Sequence, residues 1–293
     1  MVDYLLERKL REEAPLLHQN MRDNVFVLEN SLQSFLKRFP SFTDHSILHS
    51  MDVLAYCNEL IGRDQIRQMS AAECYILIMG CYLHDIGMGI NDNDFEEFSG
   101  EIDFGDYFEN HPDVARETVI RDFHSEFSGC FIRKYRDLFD IPSDHYLFGI
   151  IAACRGHRKT DLYNEEEFPI LETGEGTVCL PWLAAVLRLA DEIDVTSERN
   201  PMLLYSNVRM RTKKDVESFG TNESILGIDI EPDEIALRVR LKSPEFLPLV
   251  EDLADKIRNT LDYCREVAAK RSRYRISQSR VTLVPAAPDI MQM

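Results

Sequence analysis

His84 and Asp85 end an apolar stretch, Ile76-Leu77-Ile78-Met79-Gly80-Cys81-Tyr82-Leu83, and are followed by Ile86-Gly87. Two strongly polar groups at the buried end of a helix need partners, because a buried polar group without one costs about 2–7 kcal/mol. A divalent cation satisfies both at once, since a neutral imidazole and a carboxylate suit Zn, Mn, Fe or Ni. A plain His-Asp hydrogen bond is the simpler reading of the dipeptide alone, so the choice rests on the remainder of the chain. Further metal-capable side chains stand at the ends of other apolar segments: His49, His124, His157 and Asp191.

The segments that must position these groups read as helices. Thr43 or Asp44 serves as N-cap for a helix that runs through Val53, Leu54, Cys57, Leu60 and Ile61 to Gly62. His45 and His49 lie four apart on one face of it, as metal ligands or as solvated side chains. Ser70-Ala71-Ala72-Glu73 is a capping-box pattern that opens the apolar helix, and Gly87 is expected to end it and turn the backbone away. Residues 87–113 are acidic and lack Lys and Arg, so they read as a long loop, either a lid or a solvated insertion. Helical spacing resumes from Val114 to Ile132, interrupted by His124 with Arg121 and Glu126 beside it.

After Pro142 another helix ends in Arg155-Gly156-His157-Arg158-Lys159. Its cations suit phosphate oxygens, or complement a helix C-terminus. Residues 160–178 read as a polar connection; Leu180 to Ala190 then forms an apolar helix ending in Asp191, with Asp194 three residues on along the same face.

The flanks are simpler. Residues 4–38 read as two amphipathic helices broken near Pro15, with Leu5, Leu16, Val25, Val27 and Leu32 in the apolar stripe and His18 at the surface. Ile225–Ile230 and Ile235–Leu241 alternate around Glu231-Pro232-Asp233-Glu234 and predict a β-hairpin. Ser243-Pro244 starts a long helix through Val250, Leu253, Ile257, Leu261, Cys264 and Ala268, and Val284–Met293 reads as a tail. The expected fold is mainly α, with N-terminal helices over 1–40, a site-bearing region over 41–204 and a small α+β element over 205–293.

The chain has 293 residues, 44% hydrophobic and 29% charged, with a formal net charge of −18. That balance opposes an extensive nucleic-acid surface, which needs clustered Lys and Arg, but leaves room for a small anionic substrate at a locally cationic site. The 7 cysteines show no CxxC pair, which predicts reduced, buried thiols and a cytoplasmic setting. No apolar stretch approaches the roughly 20 residues that span a bilayer.

The order H…HD…D, carried by His49-Ser50 with Val53, by Leu83-His84-Asp85-Ile86-Gly87 and by Arg188-Leu189-Ala190-Asp191, resembles the HD superfamily of metal-dependent phosphohydrolases over residues 42–200. More narrowly, Phe42-Thr43-Asp44-His45 and the Arg-Leu-Ala-Asp-Glu-Ile-Asp run resemble the HD domains of bacterial conflict-system proteins, some of which stand beside an ATPase domain. The resemblance implies an HD-domain helical bundle binding one or two divalent ions (Mn, Fe, Ni, Zn or Mg). His49, His84, Asp85 and Asp191 would hold the first ion, and His124 and His157, with Asp85 bridging, the second. Arg121, Arg158 and Lys159 would offset phosphoryl charge, and His45 would donate a proton or support a ligand. The implied reaction is hydrolysis of a phosphoester or phosphoanhydride of a nucleotide-type substrate. The alternatives are a metal-stabilised regulatory module without turnover and a nuclease acting on single strands. A homo-oligomer or a partner ATPase domain are the assemblies to expect.

Overall fold

With scarcely a polar side chain between Ala71 and Leu83, the helix these residues form has no face to offer water, and it is buried along its whole length. The structure is a computed structural model that describes residues 4–32, 47–158, 160–196, 217, 220–241 and 243–286. Each Leu, Ile or Met buried in the central helix contributes about 1.5–3 kcal/mol. Its start is fixed as the sequence predicts: Ser70 Oγ accepts from Glu73 N at 3.0 Å, and Glu73 accepts from Ser70 N at 2.9 Å.

Around this axis lie α1 (Leu5–Glu13), α2 (Pro15–Leu32), α3 (Ile47–Ile66) and α4, the central helix itself (Ala71–Leu83). Pro15 opens α2, where its missing N–H costs nothing. The inward stripe of α1 and α2 is Leu6, Leu10, Leu17, Met21 and Leu28, whereas Leu16 is 87% exposed and Val27 lies on the rim. The backbone break that Gly62 predicts is present (φ 73°, ψ 159°), although α3 resumes beyond it to Ile66. Pro40, Thr43 and Asp44 lie outside the described residues.

Residues 87–113 are not one continuous loop, although 100–106 and 111–113 are non-helical. A 3-10 turn (Ile86–Gly89) leads into α5 (Asp92–Ser99) and the short α6 (Tyr107–Asn110). The acidic composition concealed aromatic anchors: Phe98 is buried, Phe95 lies 5.5 Å from Phe127 and Phe104 lies 4.8 Å from Phe123, ring to ring. Asp94 is buried against Lys134 at 2.8 Å and the Tyr135 hydroxyl at 2.9 Å.

Next come α7 (Arg116–Asp122), α8 (His124–Lys134) and α9 (Asp144–Gly156), with a backbone break at Phe123 (φ −115°, ψ 18°) separating the first two. The predicted connection over 160–178 contains an antiparallel hairpin, β1 (Ile170–Thr173) and β2 (Gly176–Cys179), before α10 (Leu180–Ile193). The C-terminal element is β3 (Ile225–Ile230), β4 (Glu234–Val239), α11 (Leu247–Arg271) and β5 (Arg280–Pro285). Val284 and Pro285, read as tail, are in β5, which pairs parallel to β4 from Glu234↔Arg280 to Val239↔Pro285. Pairing at this distance in sequence leaves no local signal.

The molecule is mainly α with a small C-terminal sheet, and α11 packs along α10. Tyr274 reaches the core, stacking on Trp182 at 4.0 Å and donating to Glu73 at 2.6 Å. All seven cysteines are buried and free. No helix among the described residues is long and apolar enough to cross a membrane.

Candidate metal centre

Each histidine of the cluster sits where its helix begins or ends, and each is buried. His84 is the C-cap residue of α4 and His157 that of α9, His124 opens α8, and His49 lies in the first turn of α3. Asp191 is in the last turn of α10. The chain therefore brings five helices to one point.

Two groups of donors form there: His49, His84 and Asp191, and Asp85, His124 and His157. Asp85 joins them. Its Oδ2 lies 3.4 Å from His49 Nε2 and 3.3 Å from His84 Nε2, while its Oδ1 lies 3.2 Å from His124 Nε2 and 3.8 Å from His157 Nε2. Asp191 Oδ1 closes the first group at 3.4 Å from His49 and 3.7 Å from His84.

The opposite nitrogen of every ring is anchored. His84 Nδ1 donates to Cys81 O at 2.9 Å, His124 Nδ1 to Arg121 O at 2.6 Å, His157 Nδ1 to Cys154 O, and His49 Nδ1 to Asp194 Oδ2 at 2.6 Å. A carbonyl carries no proton, so the hydrogen of a neutral ring must reside on Nδ1, and Nε2 presents a lone pair. The lone pairs then face one another, at 3.1 Å between His49 and His84 and 2.9 Å between His124 and His157. Opposed lone pairs at that distance call for positive charge between them.

Without a cation, a proton on the His84 ring supplies that charge. Burial would depress His84, yet Asp85 and Asp191 outweigh it and hold that ring well above the usual histidine range. Burial likewise pushes Asp191 up, but hydrogen bonds from His49 and His84 keep it well below the carboxylate range. His157 is held well below its usual value, first by burial and then by His84 and His124, which leaves it neutral and ready to ligate. Imidazole and carboxylate donors with anchored outer nitrogens are of the kind that could hold a divalent cation.

Three residues outside the ligand-type set hold the geometry. Asp194, wholly buried, fixes His49. Ser128 Oγ donates to His84 O at 2.7 Å and accepts from Gly87 N at 2.9 Å, tying the His-Asp turn to α8. Gly87 neither ends α4, which stops at Leu83, nor has a positive φ. It is glycine because a Cβ would stand 2.3 Å from His124 O and 2.5 Å from Ser128 N. Its spacing after His-Asp was the only local trace of this.

The secondary candidates are placed less centrally. Arg121 and Arg158 are exposed, beside His124 and His157. Arg155 is turned away, paired with Glu126 at 2.8 Å and Glu167 at 3.5 Å, so the cationic cluster read around His157 does not all face the site. His45 and Lys159 lie outside the described residues.

A helical domain with an H…HD…D order and such a His/Asp cluster defines an HD-type domain. The chain belongs to the HD-CE family, whose model matches residues 39–274. Comparison with curated proteins and with solved structures returned no match. The family match runs on through α11 to Tyr274, the residue stacked on Trp182.

Proposed function

We propose that this HD-CE protein is a metal-dependent phosphohydrolase that cleaves a phosphoester or phosphoanhydride of a nucleotide-type substrate. The observation that carries the reading is Asp85, a single carboxylate with one oxygen facing the His49–His84 pair and the other facing His124–His157. When bound, divalent cations at such a site supply Lewis acidity and a water that ionises near neutral pH.

The chain's own residues do the rest. The four Nδ1 anchors hold the rings in place before any cation arrives, and His84, held protonated by Asp85 and Asp191 without metal, gives up its Nε2 proton to the solvent on loading. Arg121 and Arg158, exposed and within three residues of His124 and His157 in the chain, would offset the charge on phosphoryl oxygens. The net charge of −18 opposes an anion at long range, so attraction has to be local, within about a Debye length of 8–10 Å.

The test is metal content by mass spectrometry on protein purified without chelator, with H84A and H124A alongside and a screen of nucleotides in Mn²⁺. Two equivalents in wild type, one or fewer in H124A, and turnover abolished in H84A are expected. Bound metal with no turnover of any nucleotide or aryl phosphodiester would replace the hydrolase with a metal-stabilised module. No metal, with no thermal stabilisation on adding it, would remove the metal-dependent reading altogether.

A further inference from the structure

Arg188 stands three residues before Asp191, on the same side of α10. Its side chain engages the backbone on both sides of His157. Nε donates to Gly156 O at 2.8 Å and Nη2 donates to Thr160 O at 2.7 Å. Gly156 O is one of the last carbonyls of α9, which lack partners within the helix and need them from elsewhere.

The approach is close by construction. A Cβ on Gly156 would stand 2.5 Å from Ala184 Cβ and 2.9 Å from the Phe168 ring, so only glycine lets α10 lie this near the end of α9. Tyr263 of α11 completes the clamp. Its ring centroid lies 5.0 Å from the Arg188 guanidinium carbon, and its hydroxyl oxygen accepts from Leu162 N at 2.8 Å. Arg271 donates to the carbonyls of Tyr163 at 2.7 Å and Phe168 at 3.0 Å. The backbone that follows His157 is thus held from α10 and α11 together.

We propose that Arg188 is the positioning residue of the Asp85–His124–His157 half of the centre, holding the carbonyls that flank His157 so that its Nε2 meets His124 and Asp85, with Tyr263 linking that hold to the C-terminal helix. The inference rests on the two-cation reading above. It gives α10 a double role: Asp191 serves one half of the centre directly, and Arg188 serves the other through the backbone.

The experiment titrates Mn²⁺ into wild type, R188Q, R188K, H124A and the R188Q/H124A double variant, counting bound equivalents by mass spectrometry and recording amide hydrogen exchange over residues 156–162. R188Q is expected to weaken the second equivalent about 10–100-fold, the range found for outer-shell partners of metal ligands, while the first equivalent is retained. R188K, which keeps one donor, restores part of the loss. In the H124A background R188Q changes nothing further, and exchange over 156–162 rises in R188Q even without metal. R188Q that binds both equivalents as wild type does overturns the Arg188 assignment alone, as does loss of both equivalents together with the fold. Wild type that takes up no cation overturns the two-cation reading and this inference with it.

Discussion

His49 Nδ1 and Asp194 Oδ2 lie 2.6 Å apart with both side chains out of reach of water, and this pair turns the opposite face of the His49 ring toward Asp85, Asp191 and His84. Among the four histidines of the centre, only His49 has a carboxylate for its outer partner; the other three use backbone carbonyls. A charged acceptor makes the imidazole a better ligand than a carbonyl does. D194A is therefore expected to weaken cation binding in the His49–His84–Asp191 half about 10–100-fold, with D194N in between. Competition titration against a chromophoric chelator measures it, and equal affinity in D194A and wild type would refute it.

Gly87 and His124 are coupled through space. Because all three obstructing atoms, His124 O, Ser128 N and Phe127 C, are backbone, none can swing aside for a new Cβ. G87A is expected to cost about 1–3 kcal/mol, the range for overpacking, and to displace His124 from Asp85. Urea denaturation would give the first quantity and the second metal equivalent the other.

The cap of α4 is a stability test separate from the metal. S70A removes the capping bond, expected to cost about 0.5–2 kcal/mol, together with the bond that Ser70 Oγ donates to Thr177 O of the hairpin at 2.9 Å. E73A should cost more, because Glu73 also accepts from Cys179 N at 3.1 Å and from the Tyr274 hydroxyl, and so joins the central helix to the hairpin and to the C-terminal segment. Chemical denaturation of the two variants side by side decides the order.

The metal-free protein should carry a signature in pH. His84 is raised, so the stability it contributes is complete below about pH 6.5, the unfolded value, and is lost as pH climbs through the higher folded value. His157 is lowered, so its contribution is complete above about pH 6.5 and is lost as pH falls below it. Chelator-treated protein is expected to lose Tm on both sides of about pH 6.5. H84Q should abolish the alkaline loss, and Mn²⁺ should flatten it, because the cation takes the place of the proton. An alkaline limb unchanged in H84Q would assign it to another group.

Much of this protein is written locally. An apolar run broken by His-Asp, a Ser-x-x-Glu cap, a Glu-Pro-Asp-Glu turn between alternating segments and helical spacing from Val250 to Ala268 each act over a few residues, through burial, capping and turn chemistry that do not depend on distant partners. The residues of the His/Asp cluster and their order were legible for the same reason, since a histidine or aspartate ending an apolar helix is conspicuous before any fold is known.

What the tertiary structure decided is which of these groups meet, and how. The sequence says that Asp85 is acidic, but only the convergence of five helices turns its two oxygens toward two different histidine pairs. The aromatic anchors of the helices within 87–113, the parallel pairing of β5 with β4, the backbone contact that demands glycine at 87 and the hold of Arg188 on Gly156 and Thr160 all join residues far apart in the chain. Pairings of that kind are fixed by close packing between elements, which periodicity within an element does not encode.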